Sequence, residues 1–147
     1  MDGYDHNSHS VFLLYYHLIL VVRYRRRVID DGIAERAKEI FSYIAPNYGI
    51  TLEEWNHDID HVHIMFRAQP GTEISKFINA YKSAGSRLIR KEHPEIREKL
   101  WKEAFWSQSF CLLTAGGAPI EVIRKYIESQ GESDEKKKRG RNPKPRV

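Results

Sequence analysis

The order in which apolar residues recur along the chain limits the fold more than any single motif does. Continuous or alternating apolar residues predict strands, and apolar stripes at helical spacing predict helices. In chain order, the predicted elements are a strand over 11–22, a helix over 30–46, strands over 50–57 and 61–68, a helix over 73–92, a strand over 104–114 and a helix over 119–131. This order predicts an α+β fold, namely a ferredoxin-like (RRM-like) sandwich in which helices pack on one antiparallel sheet.

The positive charge is concentrated at one end of the chain. Residues 134–147 contain seven Lys and Arg against two acidic residues, whereas the basic and acidic residues of the remainder nearly balance. A length of 147 residues suits one domain. We therefore expect a single domain over 1–131 and a disordered basic tail over 132–147, which either contacts a polyanion or stays solvated.

Nothing in the composition indicates a membrane or secreted protein. The longest apolar run, residues 11–22, contains His17 and is shorter than the roughly 20 residues that cross a bilayer. The N-terminal residues lack the charged and apolar regions of a secretory signal. Cys111 is the only cysteine, which excludes an internal disulfide and fits a reducing compartment. We expect a cytoplasmic protein with no membrane partner.

Two histidines lie two residues apart in the sequence DHVHIMF, which begins at Asp60. Because side chains alternate faces along a strand, His61 and His63 project from the same face and form half of a metal site. Such a pair also arises by chance, so the rest of the chain must supply another ligand. His57 is a conceivable extra ligand or, alternatively, an ordinary surface histidine of the preceding strand.

The last predicted helix carries two further candidates. Tyr126 and Gln130 are four residues apart, so they lie beside each other on the flank of its apolar edge. Two imidazole nitrogens and an amide oxygen suit Mg²⁺ or Mn²⁺ with open coordination positions. Tyr126 is the candidate nucleophile, although a phenol with a pKa near 10 needs a polarised phosphate or a nearby base. The alternative is a packing tyrosine and a solvated glutamine.

Two basic clusters are candidate DNA contacts. Arg23, Tyr24 and Arg25 follow the first strand, where arginines around an aromatic ring suit backbone phosphates and a stacked base. The exposed side of the helix over 73–92 contributes Lys82, Ser83, Ser86 and Arg87. Either cluster could equally be a solvated surface. Gly85, within the buried stripe of that helix, indicates close approach to the sheet.

Taken together, these segments resemble the single-tyrosine HUH transposases of insertion sequences of the 200/605 group. The resemblance extends over about residues 14–130, and its landmarks are YHLILVVRYRRRV, DHVHIMF, KSAGSRLIRKEHP, FWSQSF and TAGGAPIEVIRKYIESQ. It implies a ferredoxin-like fold and a homodimer that cleaves and rejoins single-stranded DNA with hairpin ends. It also implies that His61, His63 and Gln130 bind the metal, and that Tyr126 forms a 5′-phosphotyrosine and leaves a 3′-OH.

The resemblance further implies active sites shared between subunits, with Gly116-Gly117 as the flexible link to the last helix. Arg23 stands where lysine is usual and Phe110 where tyrosine is usual, which affects the expected details of DNA contact only. One alternative is a domesticated or repeat-associated tyrosine nuclease of the same superfamily. The other is a non-catalytic RRM-like module, but its aromatic strand motif is absent because the corresponding strand carries histidines.

Overall fold

The computed structural model describes residues 5–7, 10–12, 14–100, 104–114, 122–130 and 134. The strands are β1 (Asp5–Asn7), β2 (Ser10–Phe12), β3 (Leu14–Val21), β4 (Thr51–His57), β5 (His61–Ala68) and β6 (Cys111–Thr114). The helices are α1 (Asp31–Ile44), α2 (Ile74–Glu92), α3 (Glu95–Lys99) and a C-terminal helix, α4, over 122–130. Within the described ranges, no helix is long and apolar enough to cross a membrane.

Four strands form one antiparallel sheet in the order β4-β5-β3-β6. The two central strands are therefore β5 and β3, which pair along their whole length from Leu14 opposite Ala68 to Val21 opposite His61. Within the described ranges, the remaining strands, β1 and β2, pair with each other and not with the four-stranded sheet. This sheet order, with helices packed on it, confirms the predicted ferredoxin-like α+β sandwich.

The main core lies between the sheet and the helices α1 and α2. Along β5, Val62, Ile64, Phe66 and Ala68 are fully buried, whereas the residues between them are half-buried. This alternation places one face of β5 under the helices and leaves the histidine face on the other side of the sheet. Asp30 caps α1 by accepting a hydrogen bond from the backbone N–H of Ile33 at 2.8 Å, which fixes where the helix begins.

A second, smaller apolar cluster covers the opposite face of the sheet. Ile127 of α4 packs against Ile19 and Val21 of β3, with Ile123 and Tyr126 at its margin. Residues with odd numbers in β3 face this side because those with even numbers join the main core. The sequence therefore folds α4 onto the same face of the sheet that carries His61 and His63.

Two predicted strands differ from the observed ones. The predicted strand over 11–22 is divided, since Ser10–Phe12 pairs with Asp5–Asn7 whereas Leu14–Val21 enters the sheet. β1 lies before the first predicted element, which begins at residue 11, so it was not predicted from the sequence. The predicted strand over 104–114 is regular only at Cys111–Thr114.

Competing interactions explain the shortened last strand. Trp106 forms an isolated bridge with Val22 and is 1% exposed, so its ring turns into the core. The ammonium group of Lys82 donates to the carbonyl oxygens of Gln108 and Ser109 at 2.9 and 3.3 Å. These carbonyls are satisfied by a side chain of α2, and the segment leaves the regular ladder. Gly85 does allow a close approach, but to Trp106: a Cβ there would lie 3.3 Å from the indole nitrogen.

Candidate functional site

The two histidines of β5 lie on the face of the sheet opposite α1 and α2. His61 is aligned with Val21 and His63 with Ile19, so both imidazoles lie beside the outer face of the central strand β3. His57 does not join them. It is paired with the buried Val62, and its imidazole lies 3.5 Å from the Asp31 carboxylate at the start of α1. The alternative of a surface strand histidine therefore fits His57 better than a third ligand.

His61 is held by a chain of charged groups. Its Nδ1 lies 2.8 Å from Asp60 Oδ1, and the other oxygen of that carboxylate lies 3.2 Å from Nε of Arg25. Arg25 reaches this position because Tyr24 and Arg25 both adopt left-handed backbone conformations, with φ of 59° and 52°. Such conformations are costly for residues other than glycine, so the surrounding contacts must hold this turn in place. Arg25 is thus engaged with Asp60, although its side chain is 39% exposed.

His63 has a different partner, which the sequence did not indicate. Its Nε2 lies 2.9 Å from Nδ1 of His17, and the two ring centroids are 5.1 Å apart. Burial, together with the neighbouring His17 and His61, lowers the pKa of His63 below its ordinary value. His63 is therefore neutral at physiological pH, the form in which an imidazole nitrogen can bind a metal ion.

The helix side of the site is organised by Ser109. Its hydroxyl lies 3.2 Å from the Tyr126 hydroxyl and donates a hydrogen bond of 2.8 Å to Oε1 of Gln130. Burial raises the pKa of the Tyr126 phenol to about 12, although the hydrogen bond to Ser109 partly opposes this shift. At neutral pH the phenol is therefore protonated. Tyr126 and Gln130 are adjacent on α4, as their spacing predicted.

The two halves of the site face each other across β3. Val21 is hydrogen-bonded to the backbone N–H of Ser107 on one side and aligned with His61 on the other. Neighbouring strands are about 4.8 Å apart, so the backbones of Ser107 and His61, on either side of Val21, are about 10 Å apart. Ile127 covers the strand between them. Within the described part of one subunit, Ser109 is the hydrogen-bond partner of Tyr126 and Gln130, and no group of three or more His, Cys, Asp or Glu side chains could hold a metal ion.

Asp134 anchors the chain just beyond α4. It belongs to the segment predicted to be a disordered tail, yet it is 1% exposed. Its carboxylate accepts hydrogen bonds from the backbone N–H of Tyr24 at 2.9 Å and from the hydroxyl of Ser107. Asp134 follows Tyr126 and Gln130 at the same interval of four residues and is itself in a helical conformation. The other residues of the predicted tail, 132–133 and 135–147, lie outside the described residues, as does Gly116-Gly117.

A cavity of about 600 Å³ lies between α2 and the segment over 104–108. Five of the seven residues predicted to contact DNA line it, namely Arg23, Lys82, Ser83, Ser86 and Arg87. Arg90, on the same face of the helix, also lines it, and among the described residues the buried indole N–H of Trp106 has no hydrogen-bond partner. The remaining two, Tyr24 and Arg25, do not line this cavity. Its lining is positively charged and rich in hydrogen-bond donors, which suits phosphate oxygens.

The comparisons with known proteins agree with this architecture. The family model described as "Transposase IS200 like" matches residues 10–130. The chain belongs to the IS200-like transposase family. This confirms the resemblance inferred from the motifs, and it makes the chain a DNA-processing enzyme.

Two relatives of this IS200-like transposase come from Deinococcus radiodurans. The ISDra2 transposase TnpA is 36% identical over 124 residues, which cover 84% of this chain and 89% of that protein. A crystal structure described as a transposase of Deinococcus radiodurans R1 superposes with a TM-score of 0.77 at 32% identity. That match covers 86% of this chain and 97% of the other, so the similarity includes the sheet and its helices.

Proposed function

We propose that this transposase cleaves and rejoins single-stranded DNA at the hairpin ends of an insertion sequence, through a covalent bond to Tyr126. The observation that carries the proposal is the position of α4. It places a tyrosine and a glutamine, one turn apart, on the face of the sheet that carries the two histidines, across a single strand. Tyr126 packs at the margin of the apolar cluster, and its hydroxyl also contacts Ser109, the residue that binds Gln130.

The donor set fits a hard divalent ion. His61 has Nδ1 engaged by Asp60, which leaves Nε2 free to bind a metal, and His63 is neutral because its pKa is lowered. With the amide oxygen of Gln130, these residues would hold Mg²⁺ or Mn²⁺. When bound, such an ion stabilises the charge that develops on a phosphate oxygen in the transition state. Among the described residues, no group of three or more His, Cys, Asp or Glu side chains could hold a metal ion by itself, so an amide ligand such as Gln130 fits the proposal.

Tyr126 supplies the nucleophile. Its phenolic oxygen forms a bond to the phosphorus while the bond from phosphorus to the 3′ oxygen breaks, which gives a 5′-phosphotyrosine and a free 3′-OH. The phenolic proton leaves to water, and the 3′ oxygen takes one up. The reverse attack by a 3′-OH restores a phosphodiester and the phenol, so that strands are rejoined without an external energy source.

The arrangement around Ser109 is a resting one. A phenol with a pKa of about 12 is a poor nucleophile at neutral pH, and Ser109 is too weak a base to remove its proton. Tyr126 must therefore leave Ser109 before it attacks. In the homodimer that we propose, α4 would meet the histidines of its own subunit or those of a second copy, with Gly116-Gly117 as the link.

The test uses oligonucleotides from the two DNA ends that flank the gene, labelled separately at the 5′ and 3′ ends. With Mn²⁺ or Mg²⁺, we expect the 3′-labelled strand to migrate with the denatured protein, and the 5′-labelled fragment to be extended by a polymerase. Tyr126→Phe should abolish both products and keep DNA binding. Tyr43→Phe, which changes an exposed tyrosine of α1, is the matched control and should cleave normally. EDTA should remove cleavage only. Cleavage by Tyr126→Phe at the normal rate would refute the proposal.

A further inference from the structure

His17 is a third imidazole on the histidine face, outside the predicted site. It lies on β3 opposite Met65 and therefore diagonally next to His63, on the same face of the sheet. The distance of 2.9 Å between His17 Nδ1 and His63 Nε2 is that of a hydrogen bond. One of the two nitrogens must carry the proton and the other must accept it, because two lone pairs or two N–H groups would repel each other.

The two histidines of β5 are thus engaged in the same way, each at one nitrogen. Asp60 occupies Nδ1 of His61, and His17 occupies Nε2 of His63. Among the described residues, the other nitrogen of each ring has no hydrogen-bond partner. Histidines that bind metals almost always have their second nitrogen bonded to a carboxylate, a carbonyl or a similar group, which fixes the ring and its tautomer. His61 meets that condition before any ion is present, because a carboxylate can only accept its Nδ1 proton, and His63 has His17 in the corresponding position at Nε2.

We propose that His17 is a positioning residue for His63: it accepts the Nε2 proton and so presents the Nδ1 lone pair of His63 to the divalent ion. Asp60 performs the corresponding task for His61 and presents Nε2. This inference rests on the proposed metal-dependent function, because it assigns a role toward the ion that the function requires. It also specifies a tautomer, since the opposite one would leave His63 with a proton on the nitrogen that has to bind.

Two variants of His17 separate positioning from packing. His17→Phe keeps a ring in the same space but cannot accept a proton, whereas His17→Gln keeps a hydrogen-bond acceptor. The first measurement needs no metal: long-range ¹H–¹⁵N correlation spectra report which nitrogen of His63 carries the proton. We expect the Nε2–H tautomer in the unchanged protein and in His17→Gln, and a mixture of both tautomers in His17→Phe.

The second measurement is the affinity for Mn²⁺, by calorimetry on the protein without DNA. Loss of a residue that orients a ligand typically costs 10- to 100-fold in metal affinity. We expect His17→Phe to weaken binding by roughly 10-fold or more and His17→Gln by less than about 3-fold. His93→Phe, which changes the C-cap residue of α2, is the matched control and should bind normally.

Each outcome decides between the possibilities. Normal tautomer and normal affinity in His17→Phe would overturn the inference and leave the proposed function intact. If both His17 variants lose as much affinity for Mn²⁺ as His63→Ala does, His17 is itself a metal ligand. That result would also overturn the inference that it positions His63. If the unchanged protein shows no saturable binding of Mn²⁺, the metal-dependent function fails, and this inference fails with it.

Discussion

Replacing Asp134 by alanine tests whether the segment after α4 is part of the folded domain. The carboxylate of Asp134 is almost fully buried and accepts two hydrogen bonds, from the backbone N–H of Tyr24 and the hydroxyl of Ser107. Hydrogen bonds to a charged group contribute roughly 1.5–3 kcal/mol each, and the cost of burying the carboxylate offsets part of this. Ser107 also lines the cavity beside α2, so water can replace one partner.

We therefore expect Asp134→Ala to lower the free energy of unfolding by about 2–3 kcal/mol. With a denaturant dependence of about 1.5 kcal/mol per molar urea, the unfolding midpoint would fall by about 1.3–2 M. Asp134→Asn keeps one acceptor oxygen without the charge and should lose about half as much. Tryptophan fluorescence at a fixed protein concentration is a suitable signal, because Trp106 lies next to Ser107 and is buried.

The matched control is Glu128→Ala, which removes an exposed carboxylate from α4 and should change the free energy of unfolding by less than about 0.5 kcal/mol. If the midpoints of Asp134→Ala and Glu128→Ala agree within about 0.3 M, the carboxylate of Asp134 contributes nothing measurable. The anchoring of this segment to the turn after β3 would then be refuted.

Two further predictions concern the histidine face and the core. The pKa of His63 is lower in the folded protein than in the unfolded chain. As the pH falls below about 6.5, the unfolded chain therefore takes up a proton at this residue first, and the free energy of unfolding decreases. Urea unfolding of the metal-free protein at pH 7.5 and at pH 5.5 measures this decrease in the free energy of unfolding. We expect a smaller decrease in His63→Gln than in the unchanged protein, and an equal decrease in both would contradict the lowered pKa. Phe41→Ala should lower the free energy of unfolding by about 3–5 kcal/mol, since its buried ring contacts several aromatic rings. Tyr43→Ala, 83% exposed on the same helix, should have almost no effect in the same assay.

The fold could be predicted where local periodicity and packing agree. The apolar stripe of α2 predicted its bounds to within a residue, and the alternation along β5 predicted which of its residues face the helices. The segment over 104–110 could not be predicted, because its residues have strand propensity. What removes them from the ladder is Lys82, a residue distant in sequence that binds the carbonyls of Gln108 and Ser109. Tertiary contacts here outweigh propensity.

In the candidate site too, local spacing predicted some residues, whereas others depend on tertiary contacts. Spacing alone placed His61 with His63 and Tyr126 with Gln130, since neighbours on one strand or helix are fixed by its period. Their partners could not be derived, because His17 meets His63 only through the register between β3 and β5. Asp134 was missed for another reason: it precedes a run of basic residues, and average composition hides one buried carboxylate.

The turn formed by Tyr24 and Arg25 connects the segment after α4 with His61 on the other side of β3. The amide of Tyr24 is held by the carboxylate that follows α4, and the guanidinium of the next residue holds the carboxylate that steers the ring of His61. Both residues stay in an unfavourable backbone conformation. If the segment after α4 lifts away, this turn loses one of its restraints, the hydrogen bond to Asp134, and is freer to relax. Departure of α4 would therefore loosen the orientation of the His61 ring through Arg25 and Asp60, without direct contact between α4 and His61.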